Sequence, residues 1–376
     1  MDFPLAPQLI DHAALRAEVR AFLAQALPET YGAAERARSW TGFDAEFSRK
    51  LGARGWIGMT LPVEYGGHGR SAIERHVVVE ELLAAGAPVA AHWIADRQSG
   101  PMILLNGTEE QRRTILPRIA AGECYFCIGM SEPDSGSDLA SVRMRAERHK
   151  DGFRLTGTKL WTTYAHEAHY MIVFCRTGTA DDRHGGMSQF LIDMRLPGVH
   201  VRPVLDMAGE HHFNEVNFDG VVVQEGALLG KEGAGWSQVM AELSFERSGP
   251  ERFLSSFALI DEMMRCATRP NDELSERAIG RMAAHLMVLR HMSQSIAGRL
   301  SRGEKPDIHA AVVKDLGATF EQDIPEIART LVTPDRADAE FNATQARLRM
   351  SAPSFSLRGG TREVLRGIIA RGLGLR

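Results

Sequence analysis

Cysteine is scarce, with four residues in a chain of 376. So few thiols cannot build the disulfide framework of a small secreted protein. Cys124 and Cys127 form a C-x-x-C, but no second pair accompanies them. A structural zinc site takes about four ligands, so no metal centre is expected, and the two cysteines are read as flanking a strand start or a helical turn. An excess of basic charge is also lacking. The formal net charge is −4 and no Lys/Arg-rich run offsets it, which argues against nucleic-acid binding. Long apolar runs are missing too. No stretch approaches the roughly 18 apolar residues of a membrane span. The N-terminal MDFPLAPQLIDHAALRAEV carries Asp2 and Asp11 and has no continuous apolar core of the kind a leader needs. A cytoplasmic protein is the default expectation. No repeat or low-complexity tract is visible.

What is present is an ordinary globular composition, 44% hydrophobic and 24% charged, on a chain long enough for a large core. Its texture changes twice. Over residues 1–122 apolar positions recur at helical spacing, as in Leu15, Val19, Phe22 and Leu23 and again in Val77, Val78, Leu82 and Leu83. A Gly/Pro-punctuated loop, Thr60 to Ser71, lies between those helices. Asn106-Gly107 closes another helix, and Thr108 with Gln111 three residues on predicts a capping box for the next.

Over 123–234 short runs rich in β-branched and aromatic residues follow at close spacing: 126–130, 153–156, 170–175, 190–193, 199–204 and 216–223. Turn pairs such as Asp151-Gly152 and Pro197-Gly198 break them, which predicts an antiparallel sandwich or barrel. Over 235–376 the helical period returns. Met240 and Leu243, then Leu254 to Met264, predict one long helix. Further helices are expected at 281–300, 312–331 and 361–373, in an up-down bundle. The fold class is α+β, with a helical first domain, a β middle domain and a helical last domain.

Five segments sharpen this. Gly129-Met130-Ser131-Glu132-Pro133-Asp134-Ser135-Gly136-Ser137-Asp138 resembles a signature motif of the acyl-CoA dehydrogenase family. So do Gly55-Trp56 with Pro62, Glu64, Tyr65, Gly66 and Gly67, and Gly107-Thr108-Glu109-Glu110-Gln111 with Leu116-Pro117 and Gly122-Glu123. Gly157-Thr158-Lys159-Leu160-Trp161-Thr162-Thr163 is a fourth match, and Gly360-Thr361 with Ile368-Ile369-Ala370-Arg371 a fifth. They run in order over nearly the whole chain.

The resemblance implies an FAD-dependent enzyme that removes hydrogen from the α and β carbons of an acyl-CoA thioester and passes electrons to an electron-transferring flavoprotein. It implies Ile128, Met130 and Ser131 along the pyrimidine edge of the flavin, with Gly136 and Ser137 reaching the cofactor or the CoA portion. A Gly/Ser turn suits that task, because it exposes N–H groups and hydroxyls without an added charge. Trp161, Thr162 and Thr163 would complete the ring site, with an indole face for the dimethylbenzene end and a Thr donor near N5. Thr361 and Glu363 are the remaining cofactor positions.

Many relatives place the catalytic glutamate directly before the C-terminal Gly-Thr. Here that position is Gly359, in Leu357-Arg358-Gly359-Gly360-Thr361, and glycine has no side chain to act as base. Its backbone N–H can still meet a thioester carbonyl. Some relatives carry the base on the first long helix of the last domain instead, and Glu246 in Leu243-Ser244-Phe245-Glu246-Arg247 falls there. Pro250 cannot donate to the Glu246 carbonyl, so a kink is expected. Glu246 is the candidate base. Leu243, Arg247, Gly359, Gly360 and Ser137 are candidate substrate contacts. The alternative for Arg247 is a salt bridge to Glu251, and Glu80 and Glu81 are read as exposed-face residues. Adjacent on a strand, His211 and His212 would point to opposite faces and so make poor joint ligands.

Two family features are absent. The Arg-x-x-Phe-Gly stretch from a neighbouring subunit would fall at 276–282, which reads ERAIGRM, and a Gly-Gly-x-Gly near 331–340 is replaced by LVTPDRADAE. Relatives with Gly-Gly-Thr and a helix Glu include enzymes of two unlike subunits acting on bulky or branched esters, and Gly359 leaves room for such a group. A homo- or hetero-oligomer, dimer or tetramer, is therefore expected. Two alternatives stay open: a non-catalytic partner subunit, and a related flavoenzyme of other chemistry, such as a desulfinase or monooxygenase.

Overall fold

The computed structural model describes residues 1–4, 12–178, 183–267 and 272–375, without the side chains of 243–246. The chain divides into two compact units. One is built from Met1–Phe47, Arg70–Ala90 and Ser244–Arg376, the other from Ser48–Gly69 and Ala91–Leu243.

The first unit is helical. Its main helices are Ala13–Ala26, Ala72–Ala84, Phe257–Ala267, Glu273–Ser301, Asp307–Leu331, Ala339–Phe355 and Arg362–Gly372. The apolar stripe of the first helix is buried as its spacing predicts, with Leu15, Val19, Phe22 and Leu23 all inside. Ser71 caps the next helix in a capping box with Glu74, so the Gly/Pro loop ends in a helix start.

Four expectations are corrected. The single long helix is two, Gly235–Glu246 and Phe257–Ala267, with a 3-10 turn at Pro250–Arg252 between them. Gly249 and the missing N–H of Pro250 end the first helix where a kink was expected. Helix Ala339–Phe355 was not foreseen, because it follows a segment of mixed polarity. Glu80 and Glu81 are buried. Arg16 reaches both carboxylates at 2.6 Å, Arg290 bonds Glu80 at 2.6 Å, and Arg20 bonds Glu81 at 2.6 Å. Burial alone would raise the Glu80 pKa, but His76, 3.9 Å away, and the hydrogen-bonded Arg290 hold it far below the usual carboxylate range. Lastly, the sheet is not purely antiparallel, as its pairing shows.

Among the described residues the second unit holds eight strands: β1 (Phe126–Gly129), β2 (Arg145–His149), β3 (Gly152–Thr163), β4 (Tyr170–Arg176), β5 (Met187–Asp193), β6 (Val199–Leu205), β7 (His211–Gln224) and β8 (Leu228–Leu229). Their order is β6-β7-β3-β2-β4-β5-β8, with β1 beside β4. Most neighbours are antiparallel, but β1 and β2 each run parallel to β4. Alternate residues of these strands build one large cluster around Phe153, Leu155, Phe190, Ile192, Val216 and Phe218. A smaller cluster gathers Phe174, Met187 and Val239. The helix Glu109–Ala120 begins with the expected box, Thr108 accepting from the Gln111 N–H at 3.2 Å and Gln111 accepting from the Thr108 N–H at 2.8 Å. Cys124 precedes β1, Cys127 lies in it, and both are free and buried. No helix of the described residues is long and apolar enough to cross a membrane.

Candidate active site

The ring-site residues of the sequence reading lie in the sheet unit, in two segments held side by side. Strand β1 carries Ile128 and leads through Met130 into Ser131. The amide of Leu160 on β3 donates to the Ser131 carbonyl at 2.9 Å, which ties this segment to the one bearing Trp161. A second tie runs beneath. The Lys159 ammonium, fully buried, donates to the Met130 carbonyl at 2.9 Å and to Glu132 at 2.8 Å. Glu132 also accepts the backbone N–H groups of Arg143 at 2.7 Å and Met144 at 3.0 Å. Burial lowers the Lys159 pKa, and the facing carboxylate offsets only part of that. The motif's glutamate is thus a buried pin, a role that sequence reasoning missed because its partner stands 27 residues away.

After Glu132 the chain closes a tight turn. The Glu132 amide donates to the Ser135 carbonyl at 2.7 Å and the Ser135 amide to the Glu132 carbonyl at 3.1 Å. The Ser135 hydroxyl donates to the Asp138 carbonyl at 2.8 Å. Gly136 and Ser137 are left exposed at the apex, and an added Cβ on Gly136 would meet nothing within 4 Å.

Strand β3 departs from regular pairing where the indole is expected. Between the pairs Lys159–Val216 and Thr162–Asn214, three steps along β3 face two along β7, a β-bulge. Trp161 sits in it at φ 61°, a region that costs a bulky residue energy. The residue is 54% exposed, and its ring meets Phe213 edge-on with 5.7 Å between centroids. Thr162 next to it is fully buried, and its Oγ1 has no hydrogen-bond partner. A large indole turned outward in strained backbone, an orphaned hydroxyl beside it and a turn with open N–H groups fit a planar, hydrogen-bonding ring such as the isoalloxazine of FAD.

The other predicted residues lie in the helical unit. Arg247 is buried and donates from Nε to the Gly359 carbonyl at 2.9 Å, so the Gly-Gly segment is a partner of this guanidinium. Gly359 at φ 70° and Gly360 at φ 95° both take left-handed backbone, which suits glycine. A Cβ on Gly360 would stand 3.1 Å from the Arg247 guanidinium. Arg358, just before them, lies over Trp40 and Phe355, its centre 4.6 and 4.7 Å from the rings. It also bonds Ser255 at 2.6 Å and Glu321 at 3.0 Å. Thr361 caps the last helix, its hydroxyl accepting the Val364 N–H at 3.4 Å, and Glu363 is exposed in the first turn. The side chains of Leu243 and Glu246 lie outside the described residues. The backbone of both belongs to the helix Gly235–Glu246.

Family models cover the chain almost end to end. The acyl-CoA dehydrogenase N-terminal domain matches residues 10–123, the middle domain 127–221 and the C-terminal domain 233–374. The acyl-CoA dehydrogenase IpdE1 of Mycobacterium tuberculosis is 32% identical over 375 residues, covering 96% of this chain and 97% of that protein. Among solved structures, the Tcur3481-Tcur3483 steroid ACAD superposes with a TM-score of 0.86 at 27% identity, over 100% of both chains. The ChsE4-ChsE5 complex from Mycobacterium tuberculosis does so with a TM-score of 0.83 at 29% identity, again over 100% of both. Motifs, fold and matches agree: the chain belongs to the acyl-CoA dehydrogenase family.

Proposed function

We propose that the protein is an FAD-dependent dehydrogenase that desaturates the α,β bond of a bulky or branched acyl-CoA, with Glu246 as the base. The observation that carries this reading is the Arg247–Gly359 hydrogen bond of 2.9 Å. It joins the residue next to the candidate base to the segment expected to receive the thioester. The left-handed backbone of Gly359 supports a glycine there, with the base supplied from the helix.

The roles follow from the chain's own groups. Trp161 offers the ring its apolar face, the Thr162–Thr163 segment offers donors to its edge, and the Gly136–Ser137 apex offers backbone N–H groups to phosphate or carbonyl oxygens. FAD held there would supply the hydride acceptor for the β-carbon. The Gly359 N–H would polarise the thioester carbonyl and acidify the α-carbon. Glu246 would take the α-proton, and Arg247 would hold the Gly-Gly segment in register. A bulky acyl group is supported by the absence of a side chain at 359, and by the likeness to an enzyme described as a steroid ACAD. The likeness to the ChsE4-ChsE5 complex supports an unlike partner chain, and an electron-transferring flavoprotein is the proposed acceptor.

Anaerobic titration of the flavin-loaded protein with a panel of acyl-CoA thioesters tests the reading. Bulky or branched esters should bleach the flavin. Glu246→Gln should retain flavin and lose on the order of 10²–10⁴ in bleaching rate, the range for a missing general base. Unchanged bleaching by Glu246→Gln removes it from the role.

A further inference from the structure

The bulge that turns Trp161 outward has a lock of its own. Asn214 on β7 faces Thr162 across the sheet, and both residues are fully buried. The Asn214 Nδ2 donates to the Thr162 carbonyl at 3.0 Å. That contact orients the amide, because only its nitrogen side can serve a carbonyl. The oxygen side then faces two histidines. Asn214 Oδ1 lies 3.1 Å from His166 Nδ1 and 2.8 Å from His211 Nε2. Each ring must present an N–H to that oxygen, and the rings stack on each other at 3.9 Å between centroids, 20° from parallel. His166 belongs to the turn that follows β3, and Tyr164 in the same turn takes positive φ. One buried amide therefore gathers the end of β3, the following turn and the start of β7.

We propose that Asn214 is a positioning residue for flavin binding, holding the Trp161–Thr163 bulge in its ring-facing form, and that the stacked pair His166–His211 fixes the orientation of its amide. The proposal rests on the flavin reading given above. Its physical basis is that a non-glycine residue at positive φ persists only when its surroundings over-determine it. The Thr162 carbonyl adjoins the strained residue. Without the Nδ2 donor it would be a buried acceptor with a lost partner, and the bulge could relax toward regular pairing. In the regular register the residues of one side pass to the other face, and the indole would no longer stand where the ring needs it. The histidines supply two donors to one acceptor, which leaves the amide no reason to flip. Sequence alone marked His211 and His212 as an adjacent pair with opposite outlooks. His212 does lie elsewhere, 3.6 Å from Asp206, whereas His211 is paired with a residue 45 positions earlier.

Asn214→Asp is the main test, since aspartate keeps the shape and the acceptor for the histidines but sets an oxygen against the Thr162 carbonyl. The FAD dissociation constant should rise about tenfold, equivalent to ~1.4 kcal/mol. The visible flavin band should lose its fine structure, as for a ring more open to water. His166→Ala with His211→Ala removes both donors at exposed positions and carries the test should the aspartate variant fail to fold. It should weaken FAD several-fold. His166→Gln with His211→Gln restores an N–H at each place and should return affinity to within about twofold. Rescue by glutamine separates positioning from loss of bulk. Wild-type binding and spectrum in Asn214→Asp, or equal weakening by the alanine and glutamine pairs, overturns the proposal. A wild-type chain that takes up no FAD overturns the flavin reading and this proposal together, and is told apart because the parent protein is then colourless.

Discussion

Replacing Lys159 with methionine isolates the buried pin under the ring site. Methionine matches the length of the lysine stem and removes only the ammonium. Three groups feel the loss. Glu132, with 7% of its side chain exposed, keeps the amides of Arg143 and Met144 but loses its counter-charge. The Met130 carbonyl loses a donor at 2.9 Å. The Met130–Ser131 segment keeps the Leu160 amide and the packing of Met130 on the Phe174 cluster. Breaking a buried ion pair from one side costs about 3–5 kcal/mol, and about 1 kcal/mol more is expected for the carbonyl. The two backbone N–H bonds to Glu132 soften the first figure, so about 3–4 kcal/mol is the working value. Glu132→Gln alone should cost less, because the amide can still accept an N–H. The double variant should cost less than the sum by at least about 1 kcal/mol, the sign of direct coupling. Urea denaturation followed by sheet-sensitive circular dichroism measures all three. A Lys159→Met loss below about 1 kcal/mol, or strict additivity in the double variant, would refute the assignment of this pair as the pin.

Glu80→Gln should destabilise the helical unit by about 3 kcal/mol at pH 7, because Arg16 and Arg290 then face a neutral amide. The folded pKa of Glu80 is depressed, so its contribution is present above the unfolded value of about 4.3 and lost as pH falls through the folded one. The gap in melting temperature between parent and variant should therefore narrow on acidification from neutral pH, and a constant gap would contradict the assignment. Trp161→Gly should leave stability within about 1 kcal/mol, since relief of positive φ offsets the lost edge contact with Phe213. It should weaken FAD measurably in an equilibrium titration. Gly360→Ala should cost about 1–2 kcal/mol, through strain at φ 95° and crowding of Arg247. It should also raise KM for acyl-CoA in steady-state assays.

Local signals were legible in the sequence. Thr108 and Gln111 cap one helix because every partner in a capping box lies within three residues. The stripe Leu15, Val19, Phe22 and Leu23 is inside because a helix face is fixed by spacing alone. Reading failed where the deciding partner is distant. Glu81 looks like a surface carboxylate until Arg16 and Arg20 arrive from 65 and 61 residues away, and Arg290 meets Glu80 across 210. Strand β2, Arg-Ala-Glu-Arg-His, buries only Ala146 fully and shows no apolar alternation to find. The left-handed backbone of Trp161 was also invisible, because a bulge is a property of two paired strands. The motif residues Trp161 to Thr163 were found by resemblance, and Asn214, which locks them, was not.

The helical unit is assembled from three separate stretches of sequence. Residues 1–47 and 70–90 belong with 244–376, and everything from 91 to 243 belongs elsewhere. On a ribosome adding about 5–20 residues per second, the helix Ala72–Ala84 waits on the order of ten seconds or more for Glu273–Ser301, against which it packs. A nascent chain of this design therefore carries an incompletely covered helix pair, Ala13–Ala26 with Ala72–Ala84, for much of its synthesis. Holding chaperones should engage it there, and truncation anywhere before 244 should yield aggregates in place of a folded N-terminal fragment.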